Sequence, residues 1–220
     1  MKKSLFFALV LVVFASCKSH VGFVTKLPKQ EICDVQCIPP VCDIRLIDKH
    51  DIGERNDSLS NLAVQHVEDF LCQQNKIDIT NTIYIDDTII QRKINNEVRQ
   101  VMEIALKNIS LDTLKIRELT TIDSILSEQG KRFALLVYQT GFIRYERNWG
   151  RIFAQAFDYY IGYYYGDKYE EEHSFMQLII YDAMNKNLAF YNCHHMPEHN
   201  PSEAYVVKEH FKQLYRIYWQ

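Results

Sequence analysis

Three apolar runs between Arg132 and Asn192 constrain the fold more than any other part of the sequence. The first, Arg132 to Gly141, is apolar on both alternating faces over 133–138 and suits a central strand, with Leu136 in the core. The second spans Phe175 to Tyr181 and the third Leu188 to Asn192, with a turn at Asp182–Asn187 between them. Together they read as a three-strand antiparallel meander. Its first connection is lengthened by an aromatic insert over 149–169.

The remaining elements read as layers added to this sheet. Ile44 to Asp48 alternates weakly and suits a first strand, and Thr82 to Ile85 is a second strand candidate. Asn56, Asp57 and Ser58 offer caps for a helix whose stripe includes Leu59, Ala63, Val67, Phe70 and Leu71. Asp86 to Thr88 start another helix, with Ile90, Ile94, Val98, Met102, Ala105 and Ile109 on one face. A short helix over 122–129 stops at Gly130, and a last helix is expected from Asn200 as cap, with Pro201 first and Glu203 third. The order is β-α-β-α-(α)-β-β-β-α. It predicts an α/β fold of the α+β type: a mixed sheet with a C-terminal antiparallel meander and helices mainly on one face.

The N-terminus reads as a targeting segment. Lys2 and Lys3 precede an uncharged apolar run from Leu5 to Ala15, too short to span a bilayer as a helix. The run ends Phe14-Ala15-Ser16-Cys17, which resembles the lipobox of bacterial lipoproteins, with Phe14 in place of the usual Leu. The resemblance implies a signal peptide over 1–16 and lipidation of Cys17 by fatty-acyl chains, palmitate among them. A secretory peptide cleaved elsewhere is the other reading. Residues 17–42, interrupted by Pro28, Pro39 and Pro40, read as a tether, and a single α/β domain is expected over 43–220. Cys33, Cys37 and Cys42 could form a disulfide, stay as thiols, or hold zinc with a fourth ligand from elsewhere. The net charge of −3, without a basic cluster, argues against nucleic acid as a partner.

The element order resembles the small α/β domain of the N-terminal domain of TolB and of the curli secretion lipoprotein. The strings Phe133–Phe142, Leu178–Asp182 and Asn187–Tyr191 resemble uncharacterised lipoproteins of Bacteroidota. These resemblances imply binding or assembly rather than catalysis, and they carry no catalytic residues and no cofactor onto this chain.

Motif reading agrees. His195-Met-Pro-Glu-His199 matches the H-x-x-E-H string of inverted zinc peptidases, but Pro197 breaks the helix that chemistry needs. Cys193, His195 and His199 could still ligate a metal from a strand end and loop, with His194 and His195 on opposite faces. The acidic run Glu170 to Glu172 reads as a solvated turn. There is no Gly-rich phosphate loop and no G-x-S-x-G elbow.

The insert carries the functional signal. Trp149, Phe153, Phe157, Tyr159, Tyr163 and Tyr165 form a possible interface, and Arg151, Gln155 and Asp158 fall off the apolar stripe. The stretch could pack on its own domain, form a protein interface, or lie at a lipid surface. The expectation is that Phe153 and Phe157 face inward while Tyr159, Tyr163 and Tyr165 stay outside. The sequence thus predicts a lipid-anchored envelope protein, more at the outer membrane than the inner. Its role would be interaction or assembly with an envelope protein or a second copy of itself; metal-dependent hydrolysis at Cys193, His195 and His199 is the alternative.

Overall fold

In the computed structural model, which describes residues 27–107, 119–160 and 169–216, a 3-10 turn at Lys29–Glu31 leads into the sheet. The strands are β1 (Val35–Cys37), β2 (Val41–Ile47), β3 (Gly53–Arg55), β4 (Ile79–Thr82), β5 (Phe133–Arg144), β6 (Glu172–Asp182) and β7 (Asn187–Pro197). The helices are α1 (Asp57–Gln73), α2 (Thr88–Lys107), α3 (Thr120–Gln129), α4 (Trp149–Tyr160) and α5 (Ala204–Tyr215). All seven strands share one mixed sheet.

β5 is the strand on which the others register. Along one edge it pairs in parallel with β1 and β2 in succession, and along the other it pairs antiparallel with β6, which pairs with β7. β4 lies parallel beyond β1, and β3 antiparallel beyond β2. The expected meander is therefore present, with its turn between Asp182 and Asn187. Asp182 accepts from the Met184 and Asn185 amides, and the Arg132 fork grips its carboxylate at 2.7 and 3.0 Å. Burial alone would raise the Asp182 carboxyl, but the hydrogen bonds from Arg132 and Asn185 hold it below the usual range.

The folded part starts earlier than Asp43. β1 lies inside the segment read as a tether, and Ile32, Val35, Cys37, Ile38, Val41 and Cys42 are buried. The prolines do not free this segment from the sheet; they divide one sheet position into two strands. Cys37 faces Leu135 and Val41 faces Tyr138, so Ile38–Pro40 spans one residue more than β5 does opposite. Prolines are tolerated at such an irregularity because no ladder hydrogen bond needs their nitrogen. The five described cysteines are all free, so the disulfide considered within 33–42 does not form. Cys37 and Cys42 face the core, where burial pushes both thiols up to about 12, whereas Cys33 is exposed. Those three do not gather as a metal site.

The helices divide between the two faces of the sheet instead of gathering mainly on one. α1 and α5 cover the first face, with Val67 and Phe211 against Leu135, Val137, Met176 and Leu178. Phe70 and Phe211 stack at 4.3 Å between these two helices. α2 and α3 cover the second face, with Ile94, Val98, Met102 and Leu126 against Ala134, Leu136, Ile179 and Tyr181. This is the arrangement that apolar residues on both alternating faces of β5 demand.

The local signals explain the ends. Asn56 Oδ1 accepts from the Leu59 amide at 2.9 Å to cap α1, and Gly130 ends α3 at φ 64°. α3 lacks a cap of its own; Glu97 of α2 supplies one, accepting from the Thr121 and Ile122 amides at 2.8 and 3.0 Å. α5 starts at Ala204, later than expected. Asn200 instead closes the preceding turn, accepting from the Ser202 amide at 2.9 Å. Among the described residues, no helix is long and apolar enough to cross a membrane. Because Leu136 is fully buried, paired with Ile179 of β6 and packed in the second core, Leu136→Ala is expected to destabilise the protein by about 2–5 kcal/mol in urea unfolding.

Candidate functional site

Beyond the two apolar cores, the far end of β5, β6 and β7 carries polar groups on both faces. Strand alternation separates them. His194 faces α5, where its Nδ1 lies 3.0 Å from His210 Nδ1, and His195 points to the other face, with Nε2 3.1 Å from His173 Nδ1. The expected opposition of His194 and His195 is what the structure shows.

The cluster on the first face is buried. Ser174 Oγ lies 2.8 Å from His210 Nε2, and Gln139 Nε2 donates to Ser174 Oγ at 3.3 Å and to the Pro201 carbonyl at 2.8 Å. Gly141 makes this closeness possible. A Cβ there would stand 2.3 Å from the His173 carbonyl oxygen and 2.6 Å from Pro201 Cβ, so only glycine lets the turn before α5 lie on the sheet. The Ser174–His210 pair has the distance of a nucleophile and its base. Both residues are 0% exposed, however, so no substrate reaches the hydroxyl. The pair is a satisfied polar element of the core.

The cluster on the second face is open. Glu170 Oε2 lies 2.9 Å from His173 Nδ1, the His173 ring stacks on Phe142 at 5.3 Å, and His195 is exposed. Glu170, His173 and His195 are the three side chains, among the described residues, whose ligand atoms all lie within 4.8 Å of one another. Burial, and then the neighbouring His173, lower the affinity of His195 for a proton. Arg144 braces this end: its Nε donates to the Glu170 carbonyl at 2.8 Å and its guanidinium pairs with Asp51.

Of the metal candidates read from the sequence, only His195 joins this group. Cys193 packs half-buried against the second core, its thiol raised by burial. His199 sits past the end of β7, beside the Pro197 carbonyl at 2.7 Å. There it lines a separate hollow of about 730 Å³ with Phe70, Tyr205 and Tyr215. The H-x-x-E-H string thus runs from strand into turn and forms no helix. Glu170 and His173 give no metal-site signal in the sequence, where their run reads as a solvated turn; only the β6–β7 register shows that His173 and His195 are diagonal neighbours on one face.

The insert contains the helix α4. Its orientation departs from the sequence expectation at Phe153. Arg151 pairs with Asp51 at 3.4 Å, Gln155 Oε1 accepts from the Tyr169 amide at 2.9 Å, and Tyr169 Oη accepts from the Asn148 amide at 3.1 Å. These polar groups tie the helix to its base. Phe153, expected inside, is 68% exposed; Trp149 is 56% and Tyr160 87% exposed. The side chains of Phe157 and Tyr159, and the residues Tyr163 and Tyr165, lie outside the described residues, as does Cys17.

No family model and no curated protein matches the chain. Among solved structures it is similar to the LpoB C-terminal domain from Salmonella enterica, at 8% identity and a TM-score of 0.34, over 79% of this chain and 87% of that one. So distant a likeness adds no argument, and the site is read from its own geometry.

One consequence is a dependence on pH. Burial, and then the neighbouring histidines, push His210 down to about 3, against about 6.5 for an unfolded histidine. Between those values the unfolded chain takes up a proton that the folded chain refuses, so stability falls as pH drops from about 6.5 towards 3. In urea unfolding, His210→Gln is expected to lose less stability than the wild type between about pH 7 and about pH 4.5. An equal loss in both would contradict the assignment.

Proposed function

We propose that this chain is a cell-envelope interaction protein, held to a membrane by lipid on Cys17 and meeting a protein partner through α4. The observation that carries the reading is the orientation of α4. Its polar residue Arg151 pairs with Asp51 and Gln155 is held by Tyr169 at the end of the connection, while its aromatic residues Trp149, Phe153 and Tyr160 face outward. Neither apolar core includes a described residue of this helix. Aromatic residues gathered on an exposed face are the mark of a contact surface.

Charge favours a protein over a lipid surface as the occupant. Helices that lie on anionic membranes carry lysine and arginine along their polar face. α4 has one basic residue, Arg151, which Asp51 already holds, and one acidic residue, Asp158. The lipobox-like end at Cys17 supports attachment by lipid instead. Nothing in the reading requires catalysis, and the buried Ser174–His210 pair does not supply it.

The test is a photo-crosslinker placed in cells at position 153 or 160, with exposed Gln65 on α1 as the control site. One discrete protein caught at both α4 positions, absent at the control site and lost in a Trp149→Ser chain, supports the reading. Capture of lipid, or the same captures at all three sites, opposes it. Phe153→Ser is expected to abolish capture at position 160 while shifting Tm by no more than about 2 °C, since surface substitutions stay within about 0.5 kcal/mol. Cys17→Ala is expected to stop acyl labelling and release the protein from membranes; an unlabelled, wholly soluble wild-type chain would contradict the anchor.

A further inference from the structure

The connection bearing α4 returns to the sheet through Glu170, just before β6. Here Glu170 Oε2 and His195 Nε2 both approach His173 Nδ1, at 2.9 and 3.1 Å. A ring nitrogen offers either one proton or one electron pair. His173 Nδ1 therefore serves a carboxylate oxygen and a second ring nitrogen only by sharing a single proton between them. A cation satisfies the arrangement better, since it takes one electron pair from each of the three atoms.

We propose that Glu170, His173 and His195 bind one divalent transition-metal ion of the zinc class. The donor set decides the class: two imidazoles and one carboxylate suit zinc and its neighbours, whereas calcium and magnesium take oxygen ligands. The spacing fits. Ligand atoms around tetrahedral zinc at ~2.0–2.1 Å stand about 3.3 Å from one another, close to the 2.9 and 3.1 Å that separate His173 Nδ1 from its two neighbours. The supports are in place without the ion. Phe142 stacks flat on the His173 ring, Arg144 holds the Glu170 backbone, and the β6–β7 register fixes His173 diagonally across from His195.

The site takes one ligand from the end of the α4 connection and one from each of the last two strands. A bound ion would therefore fasten that connection to the meander. The exposure of His195 leaves a coordination position open to water or to a further donor. The inference does not depend on the reading of α4 as a contact surface.

The test is titration of the full-length, chelator-treated protein with zinc sulfate alone, followed by metal analysis and thermal unfolding. One saturable zinc per chain is expected, with a higher Tm when it is bound. His173→Ala and His195→Ala should each weaken binding at least about tenfold and remove the Tm shift. Cys193→Ala and His199→Ala should change neither. If the histidine variants fail to fold, Glu170→Gln, on the half-exposed connection, is expected to show the same loss. The proposal is overturned if the wild-type chain binds no zinc saturably. It is also overturned if Glu170→Gln binds zinc as the wild type does, or if removing Cys193 abolishes binding.

Discussion

The structure depends on the pairing of β5 along both of its edges. One edge takes β1 and β2 in parallel and the other takes β6 antiparallel, so every other strand pairs with this strand or with one of its direct neighbours. Such a strand needs side chains that exclude water on both faces, and Phe133–Val137 provides them without a polar interruption. The two helical layers follow. Past the apolar run, β5 changes character to Gln139, Thr140 and Gly141, and the polar clusters begin there.

The same strand geometry distributes chemistry at that end. Two adjacent histidines on β7 cannot share a face, so His194 is drawn into the buried network with Ser174 and His210, and His195 meets His173 outside. Gly141 is the steric condition for the inner network, because the turn carrying Pro201 lies against it. The outer group needs no such burial. It assembles where the long connection re-enters the sheet, and Arg144 ties that re-entry to Asp51 and to the backbone of Glu170.

Much of this was legible in the sequence because it is local. The meander, the turn at Asp182–Asn187, the caps at Asn56 and Gly130 and the burial of Leu136 all follow from runs of adjacent residues. What was missed is long-range or inverted. β1 is only Val35–Cys37 and adjoins two prolines; its role appears only when β5 supplies its partner. The two-sided cover was implicit in the apolar faces of 133–138, yet the order of elements suggested one side. Glu170 and His173 join His195 only through strand register. The direction of α4 could not be read from its stripe. Periodicity says that a helix has two sides, and here Asp51, far away in sequence, and Tyr169, at the end of the same connection, hold the polar one.

The account rests on a division between a cooperative sheet built around β5 and a helix, α4, that is fastened by polar contacts and whose described residues stand outside both cores. Amide hydrogen exchange measured residue by residue tests that division directly, since exchange rates separate the global core from locally opening units. The amides of Leu135–Val137 in β5 and Leu178–Ile180 in β6 are expected to exchange only on global unfolding, while those of α4 exchange by a much cheaper local opening. Protection of the α4 amides equal to that of β5 would contradict the account, because the aromatic helix would then belong to the core rather than stand ready for a partner.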